Sequence, residues 1–200
     1  MKKISFISAV SIGLLSISLA AASPSDAVGQ IRQNATQVLS ILKGGDADGA
    51  RRKAEAYALP YFDFQRMTAL AVGNPWRQAT DMQKQALTRE FQTLLIRTYS
   101  GTMLQFKNAK VNVKDNPVVN KGGKEIVVRV EVSNSGEKPV NMDFSTYQSG
   151  SRYRVYNVAV EGASLVIVYG GQFNETVKNK GIDGLIDELK TKNSGKASKS

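Results

Sequence analysis

RYRVYNVAVEGASLVIVYGGQFNETVKNKGIDGL, running from Arg152 to Leu185, is the stretch on which the fold turns. Tyr153 to Val160 is filled with β-branched and aromatic residues, the composition of a strand. Gly162 breaks it. A second apolar run, Leu165 to Tyr169, leads through Gly170-Gly171, which reads as a turn, into a helix carrying Phe173 and Val177. Gly181 fits a helix end, and Ile182-Asp183-Gly184-Leu185-Ile186 opens a last short helix. No residue here stands as a nucleophile beside its base. The stretch is built to enclose something apolar.

Upstream, the pattern is of period two from Ala109 onward. Val111 and Val113 alternate with Asn112 and Lys114, and Asn116-Pro117 turns the chain. Ile126, Val128, Val130 and Val132 share one face, Asn134-Ser135-Gly136 makes a hairpin, and Val140, Met142 and Phe144 return. With Tyr153–Val160 this predicts four antiparallel strands with one apolar face, which needs a cover. Thr80-Asp81-Met82-Gln83 is a capping box that starts the longest helix, expected to run to about Phe106 with Leu87, Phe91, Leu94, Leu95, Tyr99 and Met103 on one face. Before it come a helix from Ser25 with Val28, Ile31, Val38, Leu39 and Leu42, an Ala-rich helix opened by Asp46 or Asp48, and an apolar segment from Tyr61 to Gly73. The fold class is α+β: a curved four-stranded antiparallel sheet covered by a long helix and additional helices, a half-barrel or cone with an apolar pocket.

Met1-Lys2-Lys3 followed by Ile4 to Leu19 reads as a secretory signal with Ala20-Ala21-Ala22 at the cleavage site. Residues 1–22 are therefore expected to be removed, leaving a single domain over 23–189 and a basic, disordered tail over 190–200. The tail has four lysines and no acid, and too little apolar surface to offset ordering. The net charge of +10 is concentrated at the ends. Setting aside Lys2, Lys3 and the lysines at 190, 192, 196 and 199 reduces 27 basic residues to 21, against 17 acidic. No basic face interleaved with aromatics is present, so no nucleic-acid partner is expected. The chain has no histidine and no cysteine. That excludes Ser-His-Asp triads, disulfides, thiol chemistry and the common zinc ligands, and no metal or cofactor is implied.

Three blocks together resemble the MlaC family of periplasmic phospholipid-shuttle (toluene-tolerance) proteins. They are Leu59-Pro60-Tyr61-Phe62-Asp63-Phe64 with Leu70-Ala71-Val72-Gly73, Trp76-Arg77 and Thr80; Glu90-Phe91 through Arg97-Thr98-Tyr99-Ser100; and Tyr156-Asn157-Val158, Glu161-Gly162-Ala163-Ser164-Leu165 and Lys180-Gly181-Ile182-Asp183-Gly184-Leu185. The chain departs from the family pattern at Ala163, where a β-branched residue is expected, and near Gly170, where a charged or polar one is. The resemblance implies a non-enzymatic periplasmic carrier of diacyl phospholipid that maintains outer-membrane lipid asymmetry. Its implied partners are an outer-membrane lipoprotein–porin complex and an inner-membrane ABC-transporter complex with a hexameric lipid-binding component.

Such a cargo sets a physical requirement. A buried methylene is worth about 0.8 kcal/mol, so roughly thirty of them forfeit on the order of 25 kcal/mol on entering water. Three regions carry enough apolar surface to return that: Leu70, Val72 and Trp76; Leu87, Phe91, Leu94, Leu95, Tyr99 and Met103 on the long helix; and Val128, Val130, Met142, Phe144, Val158 and Val160 on the sheet. These fifteen residues are the expected lipid-binding set, and no catalytic or metal-binding residue is assigned. The alternative is a periplasmic isomerase or lyase on a small hydrophobic substrate, using Asp63, Asp143 or Glu161 with Tyr99, Tyr147 or Tyr156. Asp143 is expected to point away from the core with Asn141 and Ser145.

Overall fold

The structure, a computed structural model, describes residues 23–195. The signal expected over 1–22 and the final residues 196–200 lie outside them. Helix α1 (Pro24–Leu42) begins at Ser23, whose backbone N–H donates to Asp26 Oδ2 at 2.8 Å, two residues ahead of the expected start at Ser25. Asp46 caps α2 (Ala47–Ala58) by accepting from the Gly49 N–H. Asp63 does the same for α3 (Phe64–Val72) through the Arg66 N–H. The capping box at Thr80 and Gln83 is formed in both directions and opens α4 (Asp81–Met103). At α2, α3 and α4 the N-cap side chain itself accepts from the first turn, satisfying an N–H that the helix leaves free.

The sheet has six strands rather than four: β1 (Lys110–Val113), β2 (Val118–Asn120), β3 (Glu125–Ser133), β4 (Val140–Ser149), β5 (Arg152–Val160) and β6 (Ala163–Ser164). The order is β1-β3-β4-β5-β6, all antiparallel, with β2 also paired to β3. The two extra strands are short edge pieces, of three and two residues, that carry no alternation to read. The register places Val113 beside Val130, Val128 beside Phe144, and Phe144 beside Val158. One apolar face results, as the alternation requires. Between Ser145 and Thr146 the register to β5 slips by one, leaving Tyr156 as the extra residue. That bulge lets Val155 and Val158 both join the core while Tyr156 is free to reach elsewhere.

The helices divide their work. α1 lies directly on the sheet, with Ala27, Val28 and Ile31 buried among Val113, Ile126, Val128, Val130 and Val155. The long helix α4 instead packs with α3 and with α5 (Leu165–Asn193), burying Leu87, Phe91 and Leu95 against Met67, Val72, Val166 and Phe173. Two cores stand side by side, and Phe62 and Leu165 pack against both.

Two expectations about α5 are corrected. Leu165 already begins the helix, capped by Ser164 through the Ile167 N–H at 3.4 Å, and Gly170-Gly171 lie inside it rather than in a turn. A Cβ on Gly170 would sit 3.2 Å from the Ala71 carbonyl oxygen, so this glycine lets α3 approach. The residues from Lys190 are also not a tail from their first position. α5 continues to Asn193, with Leu189 and Asn193 buried. The lysines at 190 and 192 conceal an apolar helical spacing, Ile182, Leu185, Ile186 and Leu189, that carries the helix through them.

Candidate functional site

The two cores sort the expected lipid-binding set. Val72, Leu87, Phe91 and Leu95 are fully buried in the helical core, with Trp76 and Leu94 half-buried against it. Val128, Val130 and Val158 are buried in the sheet core, with Met142, Phe144 and Val160 half-buried at its border. Met103 is half-buried at the end of α4 and belongs to neither. Leu70 and Tyr99 are exposed. Leu70 falls outside the face that α3 buries through Met67, Thr68, Ala71 and Val72. Tyr99 lies a turn beyond Leu95, where Ser100 is the buried position. Even so, its phenol is pushed up to about 12, by burial first and by the Tyr169 phenol second.

Missing from the expected set are Phe62 and Leu165, which join the cores, and Phe173, Leu185, Ile186 and Leu189, which complete the helical one. Phe91 stands edge-on to Phe173 and Tyr169, with centroids 5.0 and 5.1 Å away. The apolar side chains left half-buried, among them Phe64, Leu94, Tyr169, Met142, Phe144 and Val160, flank one core or the other. Phe62 and Leu165, packed against both cores, mark an apolar seam between them. Two surface depressions lie elsewhere. One of about 300 Å³ is lined by Arg32, Leu39, Lys43 and Val111, and another of about 460 Å³ by Gln65, Lys84, Thr88 and Gln92. Neither is lined by a residue of the expected set.

At one end of the seam a polar clasp ties α3 to the sheet. The Asp63 N–H donates to the Val155 carbonyl at 2.8 Å, and Arg154 Nη2 donates to the Phe62 carbonyl at 2.6 Å. Arg66 pairs with Glu125, and its guanidinium lies 3.8 Å from the Tyr156 ring centroid and 4.5 Å from that of Tyr147. Glu125 also accepts from Tyr156 Oη at 2.9 Å and Lys121 Nζ at 2.9 Å, and Tyr147 Oη donates to Asp63. Burial pushes the Glu125 carboxyl up, but the hydrogen bonds from Lys121, Tyr156 and Arg66 outweigh it and hold the group below its ordinary value. Burial raises both tyrosines, with the accepting carboxylates adding to it.

The clasp brings together Asp63, Tyr147 and Tyr156, three residues of the enzymatic alternative. Asp63 is occupied as a helix cap, and Glu125 is held ionised by three donors, so neither is arranged as a waiting base. Asp143 faces away from the core and pairs with Arg129 across the strands at 2.8 Å, as the alternation implies. Glu161 sits in a turn with φ of 49°, its carboxylate accepting from the Asn141 N–H. Among the described residues no group of acids could hold a metal ion, and no helix is long and apolar enough to cross a membrane.

This architecture has known counterparts. A family model described as MlaC protein matches residues 32–191. The chain belongs to the MlaC family. A solved structure described as the phospholipid-binding protein from Ralstonia solanacearum in complex with a phospholipid superimposes with a TM-score of 0.76 at 32% identity, covering 85% of this chain and 98% of that one. The blocks that carried the resemblance to MlaC proteins occupy the joints of the fold. Asn157 accepts from Ser164 Oγ at 3.1 Å where α5 begins, Asp63 caps α3, and Gly181 marks the break in α5.

Proposed function

We propose that this MlaC-family protein is a non-catalytic carrier of diacyl phospholipid, holding the acyl chains along the apolar seam between its two cores. The observation that carries this reading is the likeness to the Ralstonia protein, which spans nearly all of that chain. The seam supplies what the chemistry needs: half-buried apolar side chains on both sides that an acyl chain can cover, and no reactive constellation beside them. Of the fifteen expected residues, the half-buried Leu94, Met142, Phe144 and Val160 contact the chains first. The fully buried ones support them.

On this reading the leader directs the chain to the periplasm. There it exchanges lipid between an outer-membrane lipoprotein–porin complex and an inner-membrane ABC-transporter complex with its hexameric lipid-binding component, and so maintains outer-membrane lipid asymmetry. Incubating the delipidated protein with labelled phospholipid vesicles and then with unlabelled acceptors tests the carrier step. Protein-dependent transfer is expected; failure to take up any lipid would overturn the reading.

A further inference from the structure

The break in α5 divides it into rods over 165–180 and 182–193. Gly181 has φ of 68° and ψ of −175°, a conformation open to glycine and almost nothing else. Gly184 is packed so closely behind the break that a Cβ there would lie 2.3 Å from the Lys180 Cβ. The second rod lays Leu185, Ile186 and Leu189 into the helical core, over the α4 face that carries Leu87, Phe91 and Leu95. Within the described chain, its backbone joins the rest through Gly181 alone.

Polar contacts at three points hold that rod down. Gln83 Nε2 donates to Asp183 Oδ1 at 2.9 Å beside the break, and Thr176 Oγ1 donates to Glu188 Oε2 at 3.0 Å halfway along. At the far end Asn193 Nδ2 donates to the Glu90 carbonyl at 2.9 Å and to Glu90 Oε2 at 3.0 Å, while Arg97 donates to the Asn193 carbonyl. Asn193 is only 8% exposed, and among the described residues its buried Oδ1 has no partner. A leucine here would continue the Leu185–Leu189 stripe and seal the end. An amide with an orphaned acceptor instead makes a closure that holds through specific bonds and is weakened by desolvation.

We infer that residues 182–193 form a lid, hinged at Gly181 and latched by Asn193 between Glu90 and Arg97, whose opening uncovers the apolar face of α4 so that acyl chains can enter and leave. This rests on the carrier reading for its purpose, but the hinge itself does not. Gating belongs to the exchange of lipid rather than to its retention. Asn193→Ala should therefore speed lipid transfer, and Asn193→Leu should slow it.

The test joins the latch covalently. The chain contains no cysteine, so Glu90→Cys with Asn193→Cys can be bridged by a short bifunctional thiol reagent without side reactions. Phospholipid transfer between vesicles should fall at least tenfold on bridging, while the double variant before bridging transfers at least as fast as the unmodified protein. An unchanged rate after bridging would overturn the lid. Amide hydrogen exchange on the unmodified protein provides an independent reading that needs no lipid. Residues 182–193 should exchange as one block at least tenfold faster than 165–180, and equal protection would overturn the hinge. If the unmodified protein neither takes up nor transfers lipid, the carrier reading fails, and the exchange data still decide whether the rod opens.

Discussion

The sheet core and the helical core lie side by side but are held together by different physics. The sheet core is made of β-branched residues, Val113, Ile126, Val128, Val130, Val155 and Val158, whose positions are fixed by the register of neighbouring strands. The helical core is dominated by larger side chains not branched at Cβ, Phe91, Phe173, Met67, Leu87, Leu185 and Leu189, drawn from helices interrupted at Gly73 and Gly181. A backbone ladder resists rearrangement, whereas helices meeting only through side chains can shift as units. On the proposed carrier reading, the sheet is the fixed wall of the seam and the helices are the adjustable one.

The largest expected effects test whether these cores differ in how they respond to a hole. Phe91→Ala should destabilise the protein by about 3–5 kcal/mol, since a fully buried ring with two edge-on partners is removed. Val128→Ala removes two buried methyls and should cost about 2 kcal/mol. Urea denaturation followed by far-ultraviolet circular dichroism reads both. Separate transitions for the two variants would show that the cores unfold independently.

Breaking the clasp should come next. Arg66→Ala leaves Glu125 with Lys121 and Tyr156 but strips its closest cation, and because Arg66 is itself about a third exposed the loss should be about 2 kcal/mol. The pH dependence has a definite sign. Glu125 has a lowered pKa in the folded state, so its stabilising contribution is complete above the ordinary value of 4.5 and disappears as pH falls through the folded value. Glu125→Gln should flatten that acid limb of the stability curve. An acid limb of unaltered steepness would show that the clasp does not hold the layers.

The sheet was legible because alternation names both the buried face and, through a short hairpin, its partner strand. Val128, Val130 and Phe144 could be placed from the residues alone. The helical core was less so. The α4 stripe shows which face is buried but not which helix covers it, so α1 rather than α4 proved to lie on the sheet. Gly170-Gly171 misled because glycine marks a turn or a close approach equally well, and only the distance to Ala71 separates the two. Lysines at 190 and 192 hid the last helical turn, although the spacing of Leu185, Leu189 and Asn193 was there to be read.

Two smaller effects sharpen the assignment of the seam. Leu94→Asp should abolish lipid retention while costing about 1 kcal/mol or less, because Leu94 is half-buried and a charge there can reach water. Lipid retained by a folded Leu94→Asp protein would place the acyl chains elsewhere. Smallest are the paired glycines of α5. Gly171→Ala meets open space and should stabilise by about 0.5–1 kcal/mol through helix propensity, whereas Gly170→Ala should forfeit that gain against the Ala71 carbonyl. Thermal melts of the two variants side by side decide it, and equal shifts would mean that α3 and α5 are not in close register there.

The central claim, that the two cores form a seam for a diacyl phospholipid, is tested most directly by native mass spectrometry of the protein purified gently without detergent, with solvent extraction of whatever accompanies it. The account predicts a mass increment of one glycerophospholipid per chain, with mixed headgroups because the seam engages the acyl chains. Protein at its bare polypeptide mass, which also remains bare after incubation with phospholipid vesicles, would contradict it.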